Sequence, residues 1–470
     1  MIPLVVDVDG TLVRSDLLHE AVLQFIARHP LECWRLAGWL MLGKAALKDR
    51  LAARIDPGIS LLPLREETLV HIRAAQAEGR PVWLASASDR RWIEPLATRI
   101  GGLAGVFASD GRTNLAGQAK AGALVAAFGA RGFDYIGDAA VDVPVWSAAQ
   151  EKLVVARRSG FARAVLRQFP DAQIIAREKL DWRAPITAMR PHQWVKNLLI
   201  FAGLLLGHQL LDLQSFALTS LAFAAFCLAA SSAYIFNDLL DLPGDRAHPR
   251  KRKRPFAAGR MPVAYGPPLG LALLVAAIGL GSLLGTRFLV ILLAYVTLTL
   301  CYSLVLKRRL LIDVITLAGL YAIRVLAGVA AAGTHQSPWL LMFSLFIFLS
   351  LAIVKRCSEL VARREAGEDS PPGRGYRDED LEVMFSLGAA SGFCAILVIT
   401  QYLSSPEVMA LYSHPMRLWL ICPLLLYWIG RILVLSRRNE MHDDPIIFAA
   451  RDRNSWLTAL AAGAIMLVAI

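Results

Sequence analysis

The sequence predicts a multidomain protein, in which a soluble α/β domain precedes an all-α polytopic membrane domain of about nine transmembrane helices. Residues 1–179 lack any apolar stretch that could cross a bilayer, and they alternate short apolar runs with helical patterns. Residues 194–470 consist mainly of apolar segments of membrane-spanning length, and residues 180–193 link the two parts. A hydrophobic content of 56% over 470 residues is too high for a soluble protein of this length.

Composition also limits the classes of partner and cofactor. The net charge of +12 favours anionic lipid surfaces or polyphosphate substrates, and without a nucleic-acid fold signature no nucleic acid is expected as a partner. The six cysteines have no CxxC or ligand-like spacing, so we assign them no metal role. The amino terminus has no basic region before its short apolar run, which predicts that the first domain stays in the cytoplasm.

Six short apolar runs in the first domain are predicted strands, each ending near Gly, Ser or Asp. They cover residues 2–8, 81–85, 105–108, 133–136, 153–156 and 174–176. Because ligands bind at the carboxyl ends of strands in open parallel sheets, polar residues at those ends deserve most weight. Residues 15–77 are helical in pattern and separate the first two strands, so they are a predicted cap.

The polar residues at these strand ends together predict a phosphoryl-transfer site. Asp7 can attack phosphorus as a carboxylate nucleophile, and Asp9, two residues on, can serve as general acid and base. Ser86 and Lys120 would hold the phosphate oxygens, and Lys120 would also offset the negative charge. The predicted ligands of one Mg²⁺ are Asp7, Asp9, Asp138 and Asp142.

With these elements in this order (DVDGTL, WLASAS, KAGAL and GDAAVD), the first domain resembles the haloacid dehalogenase-like phosphatase superfamily. The resemblance implies a Rossmann-like core with a helical cap between the first and second motifs, where residues 15–77 fall. A degenerate copy that serves as a folding or docking module is the alternative, although no motif residue is missing.

One stretch, residues 237–259, sets acids beside bases: NDLLDLPGDRAHPRKRKRPFAAG. Asp238 and Asp241 are three residues apart and share a helix face, so both could bind one Mg²⁺ with Asn237 in support. Because Pro243 and Gly244 interrupt the helix, Asp245 is predicted on a loop that curls back. The basic run, including Lys251 and Arg254, would hold substrate phosphates. The alternative is an ordinary solvated loop.

Nine predicted spans follow the first domain. They cover residues 194–211, 216–236, 266–285, 288–305, 311–332, 338–354, 384–402, 416–435 and 455–470. The loops after the second, fourth, sixth and eighth spans are rich in Lys and Arg, whereas the opposite loops carry essentially Arg287 and Arg417. By the positive-inside rule, residues 237–259 face the cytoplasm with the soluble domain, and the carboxyl terminus lies outside.

Several polar residues near the cytoplasmic ends of the spans are predicted to bind substrate. They are Lys196, Tyr302, Lys307, Arg308, Asp313, Lys355 and Arg356. The alternative for the basic residues is that they only set the orientation of the spans in the membrane. The acids at 443 and 444 are also assigned to this site. Arg324 lies inside the fifth span, where a charge is costly, so it faces a polar cavity or a lipid phosphate unless it forms a buried structural ion pair.

Residues 181–470 resemble the UbiA superfamily of intramembrane transferases, because NDxxDxxxD at 237–245 matches its first Mg²⁺ motif. RPHQWVKN, HPRKRKRPFAAG, KRCSEL and DDPIIFAARDR resemble the decaprenyl-phosphate phosphoribosyltransferase branch more narrowly. Aromatic prenyltransferases commonly carry a second acid pair four residues apart, whereas Leu317 stands four residues after Asp313. Fewer carboxylates and more bases suit a donor with an additional 5-phosphate.

The resemblance implies a bifunctional, Mg²⁺-dependent enzyme of the plasma (inner) membrane. The membrane domain, with at least one Mg²⁺, would transfer phosphoribose from phosphoribosyl pyrophosphate to decaprenyl or undecaprenyl phosphate. The resemblance does not say why the two domains are joined; our hypothesis is that the soluble domain, with one Mg²⁺, removes the 5-phosphate and gives polyprenyl-phosphoryl-ribose, an arabinan precursor. The alternatives are a prenyltransferase with a prenyl diphosphate donor and a soluble domain with an unrelated or regulatory role; a homo-oligomer is compatible with either.

Overall fold

The chain folds into two compact units. The computed structural model describes residues 1–111, 113–178, 181–207, 209–334, 337–365, 375–441 and 445–470. The first unit comprises Met1–Met189 and Tyr234–Gly270, and the second comprises Arg190–Ala233 and Leu271–Ile470. The acidic and basic segment 237–259 therefore folds with the soluble domain. The predicted boundary at residues 179 and 180 and the acids at 443 and 444 lie outside the described residues.

A six-stranded parallel sheet forms the centre of the first unit, in the order β3-β2-β1-β4-β5-β6. The strands are Leu4–Asp7 (β1), Val82–Asp89 (β2), Gly105–Ser109 (β3), Asp134–Gly137 (β4), Lys152–Ala156 (β5) and Gln173–Arg177 (β6). Leu4 and Val6 enter one apolar cluster and Val5 enters another, so β1 is buried on both faces. Burial on both faces explains why this strand is continuously apolar in sequence. All six predicted strands are present.

Helices cover this sheet and fill the insertion between β1 and β2. The helices of residues 1–189 are Leu17–Arg28, Trp34–Met41, Lys44–Ala52, Glu66–Ala77, Arg90–Ile100, Gln118–Phe128, Val143–Ala148, Ser159–Gln168 and Arg183–Met189. Of the predicted cap 15–77, the last helix, Glu66–Ala77, packs against β2 and β6 and so belongs to the layer on the sheet. The assignment of the earlier helices to a cap stays a prediction.

The rest of the described chain is helical. Its helices are Pro191–Phe201 (a 3₁₀-helix), Ala202–Leu206, Leu213–Leu240, Leu242–Ala247, Gly266–Leu283, Thr286–Leu304, Ile312–Ala332, Pro338–Glu365, Leu381–Leu403, Pro406–Leu411, Ile421–Arg437, Pro445–Arg451 and Arg453–Ala469. Seven helical segments of the described chain are long and apolar enough to cross a membrane: Leu213–Leu240, Val263–Leu283, Thr286–Leu304, Ile312–Ala332, Pro338–Glu365, Asp378–Leu403 and Pro415–Arg437. These segments support an integral membrane protein.

The predicted count of nine spans is not confirmed. The first predicted span, 194–211, falls on the 3₁₀-helix Pro191–Phe201 and the short helix Ala202–Leu206, and neither has the length of a span. The last, 455–470, falls on the 17-residue helix Arg453–Ala469. Both regions are apolar in sequence, but their helices are short.

The sequence prediction for Asp245 is wrong. The long helix ends at Leu240, and a new helix, Leu242–Ala247, begins two residues later and contains Asp245. Pro243 lies in the first turn of this helix, where an N–H group has no intrahelical partner in any case, so proline is tolerated. Asp245 is consequently held on a helix and not on a loop.

Candidate active sites

Three aspartates meet at the carboxyl ends of two paired strands of the first unit. Asp7 ends β1, and Asp138 and Asp142 follow β4, the neighbour of β1 in the sheet. Each offers one carboxylate oxygen, these oxygens lie within 4.8 Å of one another, and all three side chains are buried. Carboxylate oxygens are the ligands that Mg²⁺ takes in proteins, so the donor set fits the predicted ion.

Lys120 supplies the positive charge of this cluster. It lies in the first turn of helix Gln118–Phe128, and its Nζ donates to Asp7 Oδ1 at 2.6 Å and lies 3.5 Å from Asp142 Oδ1. The Tyr135 hydroxyl accepts from Lys120 Nζ at 3.0 Å and donates to Asp142 Oδ1 at 2.8 Å. The other oxygen of Asp142 accepts the backbone N–H of Asp138 at 3.3 Å. Asp142 thus holds the turn and Lys120 in place.

Asp9 is held by a different set of groups. Its Oδ2 accepts from the Ser88 hydroxyl at 2.7 Å and the Ser86 hydroxyl at 3.2 Å, and its Oδ1 accepts the backbone N–H of Leu17 at 2.8 Å. The structure therefore brings Ser86 to Asp9, as expected for two groups at neighbouring strand ends. Asp9 was also predicted as a Mg²⁺ ligand, but the carboxylates that converge in the described part of the chain are those of Asp7, Asp138 and Asp142.

The environment raises the pKa of Asp7, Asp9 and Asp138. Burial raises the pKa of Asp7 well above its usual range, Lys120 opposes the shift, and Asp142 and Asp138 add to it. Burial also raises the pKa of Asp138, to about 6. Burial, and then the charge of Asp16, raise the pKa of Asp9, which keeps its proton at a higher pH than a free carboxyl group and so suits a general acid.

Thr11 and Arg157 are close neighbours of the three aspartates that the sequence prediction did not include. Thr11 Oγ1 donates to Asp7 Oδ2 at 3.1 Å and lies 3.2 Å from Asp138 Oδ1, so it spans the two strands. Its position two residues after Asp9 in DVDGTL was the available signal. Gly10 adopts a φ of +83°, and a Cβ there would lie 1.5 Å from the guanidinium of Arg157, which pairs with Asp138 at 2.7 Å.

A lysine from the β1–β2 insertion also reaches the strand ends. Lys48, in helix Lys44–Ala52, donates from Nζ to the Ala87 carbonyl at 2.5 Å and to Asn114 Oδ1 at 3.2 Å. Burial lowers its pKa, and the nearby Asp9 charge opposes that shift. Its sequence context, KAALKDRLA, carries no signal that separates it from a surface lysine.

We expect Lys120→Gln to reduce phosphomonoester hydrolysis by about 10²–10³-fold, because a positioned cation at the reacting phosphate is removed. The buried Asp7 and Asp142 would also lose their shared counter-charge, so the free energy of unfolding should fall by about 3–5 kcal/mol. Steady-state hydrolysis and thermal unfolding measure the two effects. Lys44→Gln, at an exposed position, is the matched control; equal activity of the two variants would contradict the assignment.

In the segment 237–259, Arg254 lies between two of the predicted acids. Its Nη1 is 3.2 Å from Asp238 Oδ1 and 2.5 Å from Asp245 Oδ2, and both acids are buried. Asp241 begins helix Leu242–Ala247, and its backbone N–H donates to the Asn237 carbonyl at 3.0 Å. Carboxylate oxygens are ligands of the kind that Mg²⁺ takes, but the three carboxylates whose oxygens converge in the described residues are Asp7, Asp138 and Asp142, not the acids of this segment. Lys251 lies one turn before Arg254, in the 3₁₀-helix Lys251–Lys253.

In the second unit, Asp313 and Arg356 form a fully buried ion pair. Arg356 Nε donates to Asp313 Oδ2 at 2.7 Å, and its other nitrogens donate to Glu359 at 2.7 Å and to the Tyr302 hydroxyl at 3.0 Å. Tyr376, which the sequence prediction lacked, donates its hydroxyl to Asp313 Oδ1. The structure thus joins three predicted residues, Asp313, Arg356 and Tyr302, in one network, in which Arg356 pairs with the carboxylates of both Asp313 and Glu359.

Arg324 is buried in helix Ile312–Ala332, and its partners in the described chain are neutral. Its Nε donates to Asn197 Oδ1 at 2.8 Å, and its Nη2 donates to the Tyr295 hydroxyl at 3.0 Å. The guanidinium also lies 5.5 Å from the ring centroid of Tyr321, and Lys196 Nζ lies 5.9 Å from the same ring. The alternative of a buried structural ion pair is therefore wrong for Arg324 within the described residues.

The remaining basic residues occupy different settings. Lys307 and Arg308 lie in the 3₁₀-helix Leu306–Arg308. This short helix connects two candidate spans, so both residues lie between spans, as the sequence predicted. Lys355 and Arg356 do not lie in a loop, since helix Pro338–Glu365 continues through both. The helix itself therefore extends beyond residue 354, where the predicted span ends, and Arg356 is buried in it by its pair with Asp313.

We expect Arg356→Gln to destabilise the second unit by about 3–5 kcal/mol, because it leaves the Asp313 carboxylate buried without its counter-charge. Thermal unfolding in detergent measures the loss. The double variant Asp313→Asn, Arg356→Gln should recover part of it, since no unpaired charge is left buried. Arg287→Gln, at an exposed position, is the control, and additive losses in the double variant would contradict the pairing.

The fold agrees with the family comparisons. The chain belongs to the UbiA prenyltransferase family, whose model matches residues 198–467. Residues 4–147 match the haloacid dehalogenase-like hydrolase family. The protein is therefore a UbiA-type transferase of the membrane that carries a haloacid dehalogenase-like domain at its amino-terminal side.

Three relatives match this chain in sequence, each over a different share of its length. Protein y4nM of Sinorhizobium fredii is 37% identical over 99% of this chain and 91% of its own length. Nodulation protein NoeC of Azorhizobium caulinodans is 32% identical over 61% of this chain and 96% of its own length. The decaprenyl-phosphate phosphoribosyltransferase of Mycolicibacterium smegmatis is 35% identical over 44% of this chain and 66% of its own length.

Proposed function

We propose that the membrane domain transfers phosphoribose from phosphoribosyl pyrophosphate to a polyprenyl phosphate, decaprenyl or undecaprenyl, and that the soluble domain removes the 5-phosphate from the product. The observation that carries the transferase assignment is the buried Arg324 of the second unit, whose partners in the described chain are the neutral Asn197 and Tyr295. A buried guanidinium whose charge is not matched by a carboxylate in the described residues suits a phosphate group of a substrate. The name of the mycolicibacterial relative supports the same donor and acceptor.

The transfer needs a group that holds the donor pyrophosphate while the bond from ribose C1 to oxygen breaks. Asn237, Asp238, Asp241 and Asp245 would hold at least one Mg²⁺, which when bound neutralises the charge that develops on the departing pyrophosphate. Arg254 and Lys251 would bind phosphate oxygens from the basic side of the same segment. Arg254 now bridges Asp238 and Asp245, so we expect it to exchange these acids for the donor.

The acceptor needs no general base, because the oxygen of a polyprenyl phosphate is already ionised at neutral pH. This oxygen forms the new bond to C1, and pyrophosphate leaves with the electrons of the broken bond. We propose that the basic and hydroxyl groups of the second unit bind substrate phosphates. These groups are Lys196, Tyr302, Lys307, Arg308, Asp313, Arg324, Lys355 and Arg356, with Asp313 orienting Arg356.

For the soluble domain, we propose hydrolysis through a phosphorylated Asp7. Asp7 would attack the 5-phosphate of the lipid-linked product, Asp9 would protonate the leaving alcohol and then activate water, and Lys120 and Ser86 would hold phosphate oxygens. Asp7 and Asp138, with Asp142 and Asp9 as the further candidates, would hold one Mg²⁺. One chain that carries both sites raises the effective concentration of the second site for the product of the first.

We further propose that both sites face the cytoplasm of the inner membrane, with the carboxyl terminus outside, as the distribution of Lys and Arg predicts. The product, polyprenyl-phosphoryl-ribose, would serve as a precursor for arabinan. The arabinan would belong to a cell-envelope or a secreted glycan.

A donor competition separates this proposal from its main alternative, a prenyl diphosphate donor. Purified protein in polyprenyl phosphate vesicles with Mg²⁺ should move label from ribose-labelled phosphoribosyl pyrophosphate into the lipid fraction. Unlabelled geranyl diphosphate at equal concentration should not reduce this transfer. Transfer of a labelled prenyl group to an aromatic acceptor, together with no ribose label in lipid, would contradict the proposal.

A further inference from the structure

A buried ion pair within the first unit connects the haloacid dehalogenase-like domain to the acidic segment of the transferase. Glu20 lies in helix Leu17–Arg28, and Arg246 lies in helix Leu242–Ala247. Both Nη atoms of Arg246 donate to the Glu20 carboxylate, each at 2.6 Å. The side chain of Arg246 is 3% exposed and that of Glu20 is 1% exposed. A bidentate pair with this burial fixes both the distance and the orientation of its partners.

The same surface of the soluble domain contacts the acidic segment at three more places. Gln24, one turn after Glu20, donates to the Leu240 carbonyl at 3.4 Å, where the long helix ends. A Cβ on Gly58 would lie 3.3 Å from the Pro243 ring. Gly259 has a φ of +66°, and a Cβ there would lie 2.7 Å from a side-chain atom of Arg14. The contacts therefore run from one end of the segment to the other.

Arg246 is placed so that its position determines that of the acids. Asp245 is its neighbour in the helix, and Arg246 Nε donates to the Ala257 carbonyl at 3.2 Å, three residues after Arg254. Arg254 in turn bridges Asp245 and Asp238. The Arg246 guanidinium thus links helix Leu242–Ala247, which carries Asp245, to the part of the segment that follows Arg254.

We propose that Glu20 is a positioning residue for the transferase: by holding Arg246, it fixes Asp245 and Arg254 relative to Asp238. The soluble domain then has a second role beside its own hydrolysis, because it completes the donor site. The inference rests on the proposed function in taking the segment 237–259 as the donor site and phosphoribosyl transfer as the kinetic readout.

The test uses Glu20→Gln in the full chain, since glutamine keeps the size and removes the charge. We expect the KM for phosphoribosyl pyrophosphate to rise about tenfold, which corresponds to about 1.4 kcal/mol, with a smaller change in kcat. Hydrolysis of p-nitrophenyl phosphate at the soluble site should change less than twofold, which reports that the domain is folded. Glu66→Gln, at an exposed position of helix Glu66–Ala77 in the same domain, is the matched control.

A double-mutant cycle separates positioning from general stabilisation. Arg246→Gln and the double variant should show the same rise in KM as Glu20→Gln, because each removes one interaction. Independent, additive effects would contradict the proposed pair. If Glu20→Gln does not fold, Glu20→Asp, which keeps the charge and shortens the side chain by one methylene, takes its place in the cycle.

Amide hydrogen exchange tests the inference even if the donor assignment fails. In Glu20→Gln, residues 242–259 should exchange at least about tenfold faster than in the parent, while residues 286–304 should be unchanged. A parent that transfers no phosphoribose but shows this local change would contradict the proposed donor and leave the positioning role standing. Unchanged exchange in residues 242–259 would overturn the positioning role, whatever the donor.

Discussion

An Asp7→Asn variant is expected to accumulate a lipid-linked ribose 5-phosphate while it still consumes phosphoribosyl pyrophosphate. Asp7 lies at the end of β1, with Lys120 Nζ at 2.6 Å and Thr11 Oγ1 at 3.1 Å, so its carboxylate is the one the site prepares for attack. An amide cannot form the acyl phosphate, and hydrolysis should fall by about 10³-fold or more. Mass spectrometry of the extracted lipids measures the ratio of phosphorylated to dephosphorylated product.

Asp171→Asn is the matched control for this variant. It makes the same chemical change at a side chain that is 62% exposed in the same domain, where its partner is Lys152. We expect its lipid products to equal those of the parent. If Asp7→Asn yields the dephosphorylated lipid as efficiently as Asp171→Asn does, the soluble site does not act on the product of the membrane domain.

An Asp241→Asn variant is expected to lose nearly all release of pyrophosphate. Asp241 joins the end of the long helix to helix Leu242–Ala247 and is one of three carboxylates within nine residues. Replacement of one metal-binding carboxylate by an amide should cost about 10²–10³-fold in transfer, because the charge on the departing pyrophosphate is less well neutralised. The backbone turn should survive, since asparagine is also favoured at the start of a helix.

A coupled assay for pyrophosphate measures this loss. Asp212→Asn is the control, because Asp212 accepts the Ser215 N–H at the beginning of the same long helix and asparagine can do the same. Hydrolysis of p-nitrophenyl phosphate should remain in both variants, since the soluble site is intact. Pyrophosphate release at the parental rate in Asp241→Asn would remove Asp241 from the transferase site.

The sheet could be predicted from the sequence because each strand is a short apolar run that ends at a turn residue. Burial on both faces makes such runs visible without knowledge of their partners. The membrane helices were harder to delimit. Hydropathy sums apolar side chains but does not register backbone hydrogen bonding, so the 3₁₀-helix Pro191–Phe201 resembled a span. Hydropathy also does not show that the helix continues beyond the apolar segment that ends at residue 354, because Arg356 is buried there in an ion pair.

The soluble site could be predicted from the sequence in its main parts because strand ends in a parallel sheet meet at one edge. Asp7, Asp138, Asp142 and Lys120 come together as this rule requires. The pairing of Glu20 with Arg246 could not be predicted, because the residues are 226 positions apart and each resembles an ordinary charge on a helix. Only the packing of the segment 237–259 against the soluble domain reveals that pair.

The most direct test of the account is the mass of the lipid that the parent protein makes from phosphoribosyl pyrophosphate and decaprenyl phosphate in the presence of Mg²⁺. The account predicts polyprenyl-phosphoryl-ribose as the final product, preceded at early times by a species heavier by one phosphate group. A lipid that contains no pentose, whatever the reaction time, would contradict it.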